Sequence, residues 1–410
     1  MIRQTIKDML VGIIGKPSAG KSTFLNAACL TDAKVGDYPF TTIEPNVGTG
    51  HVVTKCVCEE LGVKDTPINS ICVDHQRYIP IKLLDVAGLV PDAHLGKGLG
   101  NKFLSDLSRA DVLLHILDIS GELDLEGRKI DTGTHDPLDD INFLENEIDL
   151  WFKNILLRTD WRKFTNKVTM EKTNFIDALY ERLSGLAIQK KHILKSLEIS
   201  ELNTERLDQW NDSQIEHFSK ILRKISKPII IVANKIDKKN SVTNFHRIQK
   251  VIESPIIPSS SLAEFFLRQL NEKRIISYRP GASTFDVLQP EKISEKEKSV
   301  LNEIQMKILD LFGNTGIQIS LNTAVFDILN NIVVYPVHDE KKYMDHDGNI
   351  LPDAYIIPKD MHLKEFIQNK IHSDLAKNFI YALDAKTKLR LGENHELKHN
   401  DVIKVVSAAR

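Results

Sequence analysis

The stretch Val11-Gly-Ile-Ile-Gly15-Lys-Pro-Ser-Ala-Gly20-Lys21-Ser22-Thr23 opens as an apolar run and turns within a few positions into glycine, lysine and hydroxyl residues. Gly15 to Ser22 match G-x4-G-K-[ST], and a β-strand ahead with a helix behind is the context in which that pattern builds a phosphate-binding loop. In such a loop Gly15, Lys16, Ser18, Ala19 and Gly20 offer backbone N–H groups to a β-phosphate, with Pro17, which has none, lining the turn and Thr23 just beyond. Lys21 reaches the β- and γ-oxygens, and the Ser22 hydroxyl can ligate Mg²⁺.

Ile81–Asp85, Val112–Asp118 and Pro228–Ala233 are short, nearly continuous apolar runs ending in polar residues, as strands buried on both faces should be. With Val11–Ile14 they predict an α/β fold on a mainly parallel sheet. Leu84-Asp85-Val86-Ala87-Gly88 places Asp85 where a carboxylate supports Mg²⁺, and the Gly88 N–H where it can face a γ-phosphate. Asn234-Lys235-Ile236-Asp237 follows the strand Pro228–Ala233 and selects the base. A carboxylate at Asp237 can accept from the ring N–H and the exocyclic amine of guanine, whereas adenine has neither donor at that edge. An unpaired carboxylate against adenine would cost several kcal/mol, roughly 10³-fold in affinity. The expected ligands are therefore GTP and GDP. Ser260 and Ser261, in Ser259-Ser-Ser261, are placed to close the purine pocket.

The chain has 410 residues, enough for two or three cores. Its 54 Lys and Arg against 56 Asp and Glu predict no whole-molecule attraction to nucleic acid. No 18-residue apolar run exists to cross a membrane, and no cleavage site follows the first apolar stretch, so a cytoplasmic protein beginning at Met1 is expected. The four cysteines, Cys29, Cys56, Cys58 and Cys72, are too few for a disulfide framework. Cys56, Cys58, Cys72 and His75 are metal-ligand types, but C-x-C departs from the usual C-x2-C spacing, and free thiols in a hairpin are the expectation.

Over a hundred residues separate Asp118 from Pro228, far more than a strand–helix–strand crossover needs, so a segment is inserted there. Apolar residues at helical spacing across Ile141–Arg158 and Met170–Leu197 predict a projecting helical hairpin. Lys153–Lys227 holds fifteen Lys or Arg against ten Asp or Glu, a surplus that fits either RNA phosphates or a solvated helix face. After a break at Tyr278-Arg-Pro-Gly-Ala282, helices are expected over Ser294–Phe312 and Ile317–Asn331, and a small α+β unit from Ile332 onward.

With Gly15–Thr23, Asp37–Gly48 and Asp85–Asn101, the chain resembles the Obg family of GTPases, and its C-terminal segment, with Val334-Tyr-Pro-Val337, resembles a TGS domain, a β-grasp module. Nearly the whole chain resembles the YchF-related branch. YchF itself carries a degenerate base motif and prefers ATP, whereas NKID here is intact, which places the chain with the archaeal and fungal relatives that keep the guanine motif. The resemblance implies a GTPase domain over 1–138 and 228–331 with trailing helices, a helical insertion over 139–227, and a TGS-like domain over 332–410. It implies Thr42 as the switch residue that binds Mg²⁺ and the γ-phosphate, with Thr41 as runner-up, alongside Ser22 and Asp85.

Leu89 stands where Ras-like enzymes carry a water-orienting glutamine, so unaided hydrolysis should be slow. The resemblance gives water positioning to His94, within the glycine-rich second switch, beside Lys21, Gly88 and Leu89. K⁺ is a candidate second cofactor through the same resemblance, but Ser18 stands where many potassium-stimulated relatives place the asparagine that helps hold the ion, a departure that counts against it. The implied activity is Mg²⁺-dependent GTP hydrolysis by a monomeric switch that contacts ribosome or RNA through the insertion and the TGS domain. A YchF-type ATPase and a nucleotide-gated scaffold with negligible turnover are the competing readings.

Overall fold

A computed structural model describes residues 9–29, 46–86, 100–131, 133–158, 160–203 and 206–408. The expectations that fall on Thr41, Thr42, Gly88, Leu89 and His94 lie outside the described residues.

Among the described residues the first sheet has seven strands: β1 Leu10–Ile14, β2 Val47–Lys55, β3 Ile71–Val73, β4 Gln76–Asp85, β5 Val112–Asp118, β6 Ile229–Asn234 and β7 Ile256–Pro258. Their order is β2-β4-β1-β5-β6-β7, with β3 on β4. The pairs β4–β1, β1–β5, β5–β6 and β6–β7 are parallel, while β2 and β3 run antiparallel to β4. Every residue of β5 and β6 is buried, as their unbroken apolar sequence requires of central parallel strands. This is the P-loop GTPase fold, with all strand carboxyl ends of the parallel block at one edge, where ligands bind in open α/β sheets.

Helices α1 Lys21–Cys29, α2 Val57–Leu61 and α3 Gly100–Arg109 precede the insertion. The insertion differs from a projecting hairpin. It comprises α4 Pro137–Leu156, α5 Trp161–Met170, α6 Phe175–Leu183, α7 Lys190–Ser200 and α8 Asp212–Ser226. The long helix expected across 170–197 breaks at left-handed residues, Lys172 (φ 50°) and Ala187 (φ 54°), where an α-helix cannot continue. One core runs from Leu10, Ile14, Leu113 and Leu117 of the sheet through Ile141, Leu144 and Ile148 of α4 to Trp161, Leu179, Ile193 and Trp210. Trp161 and Trp210 stack at 5.6 Å and donate their indole N–H groups to Leu207 O and Asn203 O. The apolar face that suggested a hairpin is thus spent against the sheet and the neighbouring helices.

After β6 come α9 Ser241–Gln249 and α10 Ser261–Glu272, then the ribbon β8 Ile276–Tyr278 and β9 Phe285–Val287. Next are α11 Glu295–Ile304, passing through a π-helical turn into α12 Asp310–Phe312, and α13 Ile317–Asn322, extended by a second π-helical turn over 323–328.

The C-terminal sheet holds β10 Asn331–Val337, β11 Tyr355–Pro358, β12 Phe379–Asp384, β13 Arg390–Leu391 and β14 Asp401–Ser407, in the order β11-β10-β14-β12-β13. Helices α14 Leu363–Phe366 and α15 Ser373–Lys377 cover one face, where Val334, Leu363, Phe366 and Ile403 meet. The other face presents Val333, Tyr335 and Val402 to a core shared with Val11, Ile13, Phe24 and Leu321. The TGS module is therefore packed on the GTPase unit rather than tethered to it. Among the described residues no helix is long and apolar enough to cross a membrane.

Candidate nucleotide site

The loop between β1 and α1 is shaped by three left-handed residues: Gly15 (φ 143°), Ser18 (φ 61°) and Gly20 (φ 106°). A Cβ on Gly15 would lie 2.5 Å from Ile116 O, and one on Gly20 would lie 2.3 Å from Asn234 Nδ2, so glycine is needed at both for space as well as conformation. The Lys21 ammonium donates to Gly15 O and Lys16 O, both at 3.0 Å, spanning the loop. Burial holds its pKa below the usual lysine value, opposed by the charge of Asp85. Ser22 Oγ donates to Asp85 Oδ2 at 3.2 Å, so the two residues expected at Mg²⁺ meet directly. An all-oxygen pair beside a phosphate loop is the donor chemistry that Mg²⁺ takes.

Asn234 ties the Gly15–Ser22 loop to the loop at Ser261. Its Nδ2 donates to Ala19 O at 2.8 Å, and its Oδ1 accepts from both the N–H and the hydroxyl of Ser261 at 3.0 Å. Ser260 Oγ donates to Asp237 Oδ1 at 2.7 Å, which holds one carboxylate oxygen and leaves the other uncommitted to Ser260. The Ser259 N–H bonds Ala233 O, and the Ile236 N–H bonds Ser259 O, locking the two base-side loops together. The structure thus gathers Gly15–Ser22, Asp85, Asn234, Asp237, Ser260 and Ser261 at one sheet edge, with Thr23 in the first turn of α1.

Two residues expected at the nucleotide turn their side chains elsewhere. Lys16 Nζ, buried, pairs with Asp140 Oδ2 of α4 at 2.7 Å and donates to Leu123 O. Only its backbone serves the loop. Burial raises the Asp140 carboxyl above its ordinary range, opposed by its bonds to Lys16 and His135. Lys235, left-handed at φ 63°, pairs with the fully buried Asp118 at 2.9 Å.

Sequence reasoning missed Asp118, Asp140 and a buttress behind the base loop. Thr315 O accepts from Ser260 N and Ser259 Oγ, while Glu264, buried in α10, takes hydrogen bonds from Thr315 Oγ1, Tyr278 and Arg268. Gly316 sits so close that a Cβ there would lie 2.2 Å from Pro258 O. Asp118 ends a strand as Asp85 and Asn234 do, which was the available signal; the buttress joins segments far apart in the chain and left none.

Comparison with known proteins decides the family. Residues 10–147 match the family described as "50S ribosome-binding GTPase", 232–339 match "Obg-like GTPase YGR210-like, G4 motif-containing domain", and 367–407 match "TGS domain". An uncharacterized GTP-binding protein of Methanocaldococcus jannaschii is 42% identical over 402 residues, covering 98% of this chain and all of that one. The chain belongs to the Obg-like, YGR210-like GTPase family. A fission yeast GTP-binding protein is 39% identical over 340 residues, 81% of this chain and 82% of its own. The solved GTP-binding protein of Pyrococcus horikoshii superposes with a TM-score of 0.78 at 34% identity, covering 98% of this chain and all of that one. This Obg-like GTPase therefore shares its overall architecture with the Pyrococcus horikoshii protein, and Asn234 to Asp237 lie within the 232–339 match.

Proposed function

We propose that this Obg-like GTPase binds GTP with Mg²⁺, hydrolyses it to GDP and phosphate, and works in the cytoplasm as a nucleotide-dependent switch on a ribosomal or RNA partner. The observation that carries the reading is the Asp237 carboxylate, held by Ser260 while Asn234 fastens its loop to the phosphate-binding turn. That arrangement supports reading two guanine donors at a fixed distance from the phosphates. Ser22 and Asp85 would hold Mg²⁺, which when bound neutralises charge on the β- and γ-oxygens. Lys21 would leave its two neutral carbonyl acceptors for anionic phosphate oxygens, a swap that favours the anion.

The ribosomal or RNA partner rests on family likeness more than on charge. In the insertion Lys153, Lys167, Lys190, Lys191, Lys220, Arg223 and Lys224 already form ion pairs within the chain. Phosphate release from GTP and from ATP, each with Mg²⁺ and with or without ribosomes, tests the proposal. The expected result is slow GTP turnover accelerated by ribosomes, with ATP far behind. Equal ATP turnover would make the protein an ATPase, and single-turnover hydrolysis no faster than the uncatalysed reaction would leave only a scaffold. Ribosome co-sedimentation that falls steeply with added salt supports phosphate contacts.

A further inference from the structure

Between β2 and β4 the chain makes an excursion that the nucleotide site does not use. Cys56 precedes α2, Cys58 lies in its first turn and Cys72 is in β3, so only Cys72 belongs to the hairpin in which all three were expected. The excursion is pinned: Cys56 N–H donates to His75 O at 2.7 Å, and the β3–β4 turn uses left-handed Asp74 and His75. The thiols of Cys56, Cys58 and Cys72 and a carboxylate oxygen of Asp65 all lie within 4.8 Å of one another.

We propose that these four side chains form a structural zinc site, Cys56, Cys58 and Cys72 as thiolates with Asp65 as the fourth ligand, that fastens the excursion beneath the TGS sheet.

Two of the six ligand–ligand distances are close to those of a tetrahedral zinc site, and the others are within 4.8 Å. With Zn–S bonds of about 2.3 Å, the edge between two sulfurs is about 3.8 Å, and Cys58 Sγ stands 3.8 Å from Cys72 Sγ. Cys56 Sγ stands 3.3 Å from Asp65 Oδ2, slightly inside the ~3.6 Å edge expected for one sulfur and one oxygen ligand. Three soft thiolates select zinc over the hard cations that suit the nucleotide site.

The charge and the outer contacts fit as well. Three thiolates, a carboxylate and Zn²⁺ sum to a net −2, and the fully buried Arg77 guanidinium pairs with Asp65 at 2.7 Å, offsetting half of it. Metal-ligating carboxylates characteristically carry such a hydrogen-bonded partner. Arg77 also donates to Leu351 O at 2.7 Å and Pro352 O, and its cation lies 5.5 Å from the centroid of the Tyr335 ring in β10. Thr66 and Ile68 add backbone bonds to Ile350 O and Pro352 O. A metal there would therefore hold an interface between the two sheets, and His75, with Nδ1 3.3 Å from Cys58 Sγ, would flank it. Binding releases the thiol protons to solvent.

The full-length chain, expressed with zinc in the medium and purified without chelators, should contain about one zinc per chain by elemental analysis. Its cobalt-substituted form should show thiolate-to-cobalt charge transfer and the visible bands of a tetrahedral ion. Cys58→Ser with Cys72→Ser should lose the metal, Cys72→His should retain it, and Cys29→Ser should leave it untouched. Should the double variant fail to fold, cobalt titration of the chelator-stripped parent reads the same site: charge-transfer bands that saturate at about one ion per chain support it, and their absence refutes it. Zinc well below stoichiometry, zinc retained by the double variant, or a Cys58–Cys72 disulfide in freshly alkylated protein would each overturn the assignment.

Discussion

Asp237→Asn probes the base pocket at its reading atom. Asp237 Oδ1 accepts from Ser260 Oγ at 2.7 Å, and an asparagine carbonyl can keep that bond, so the loop between β7 and α10 should hold its shape. What changes is the group offered to the base: an amide N–H₂ replaces a carboxylate oxygen and meets the guanine amine donor against donor. Two charge-assisted hydrogen bonds of ~1.5–3 kcal/mol each are lost, ~3–6 kcal/mol in all, or about 10²- to 10⁴-fold in Kd. Xanthine carries a carbonyl where guanine carries the amine, so the variant should gain affinity for xanthosine diphosphate as it loses it for GDP. Calorimetric titration of both nucleotides into parent and variant measures the exchange, with a thermal melt to show that the fold is intact. A GDP affinity within about a factor of three of the parent's, less than 1 kcal/mol, would refute the claim that this carboxylate reads the base.

Three further outcomes follow from the same geometry. Asn234→Ala removes three buried hydrogen bonds that join Ala19 to Ser261 and should cost ~2–4 kcal/mol of stability while speeding GDP release, measured by melting and by displacement of a fluorescent nucleotide. Gly316→Ala would drive a methyl into Pro258 O and Ser259 at a left-handed position (φ 89°); a loss of ~2–3 kcal/mol and weaker GDP binding are expected, whereas lost stability without weaker binding would uncouple the buttress from the pocket. His115, fully buried under the phosphate loop, has its pKa pushed down to about 3 by burial and by the charges of Lys16 and Lys21. A histidine depressed in the folded state stabilises above its unfolded value near 6.5 and loses that contribution as pH falls toward 3. Between pH 6.5 and 4.5 the loss should reach about 2–3 kcal/mol, and His115→Gln should flatten that part of a denaturation series.

Local motifs were legible because each is a short stretch whose residue types are dictated by backbone shape or hydrogen-bond sign. Gly15 and Gly20 had to be glycine, Asp237 had to be an acceptor, and the unbroken apolar runs of β5 and β6 marked the sheet centre. Long-range choices were not legible. Nothing beside Lys16 in the sequence says that its ammonium pairs with Asp140 across the start of the insertion, or that Lys235 takes Asp118. The insertion misled for a related reason: helical spacing gives an apolar face but not what covers it, and the sheet covers it here. Cys56, Cys58 and Cys72 could be grouped by type along the chain, but that Asp65 joins them shows only in the fold, where its carboxylate comes within 3.3 Å of Cys56 Sγ.

A carboxylate anchored by Ser260 should choose between purines while the Gly15–Ser22 turn holds the phosphates. Titration of GDP and of ADP into the same Mg²⁺-containing preparation tests it most directly. GDP should bind tighter by roughly 10³-fold, from the two donors that adenine lacks; equal affinity for the two diphosphates, or binding of neither, would refute base reading by Asp237.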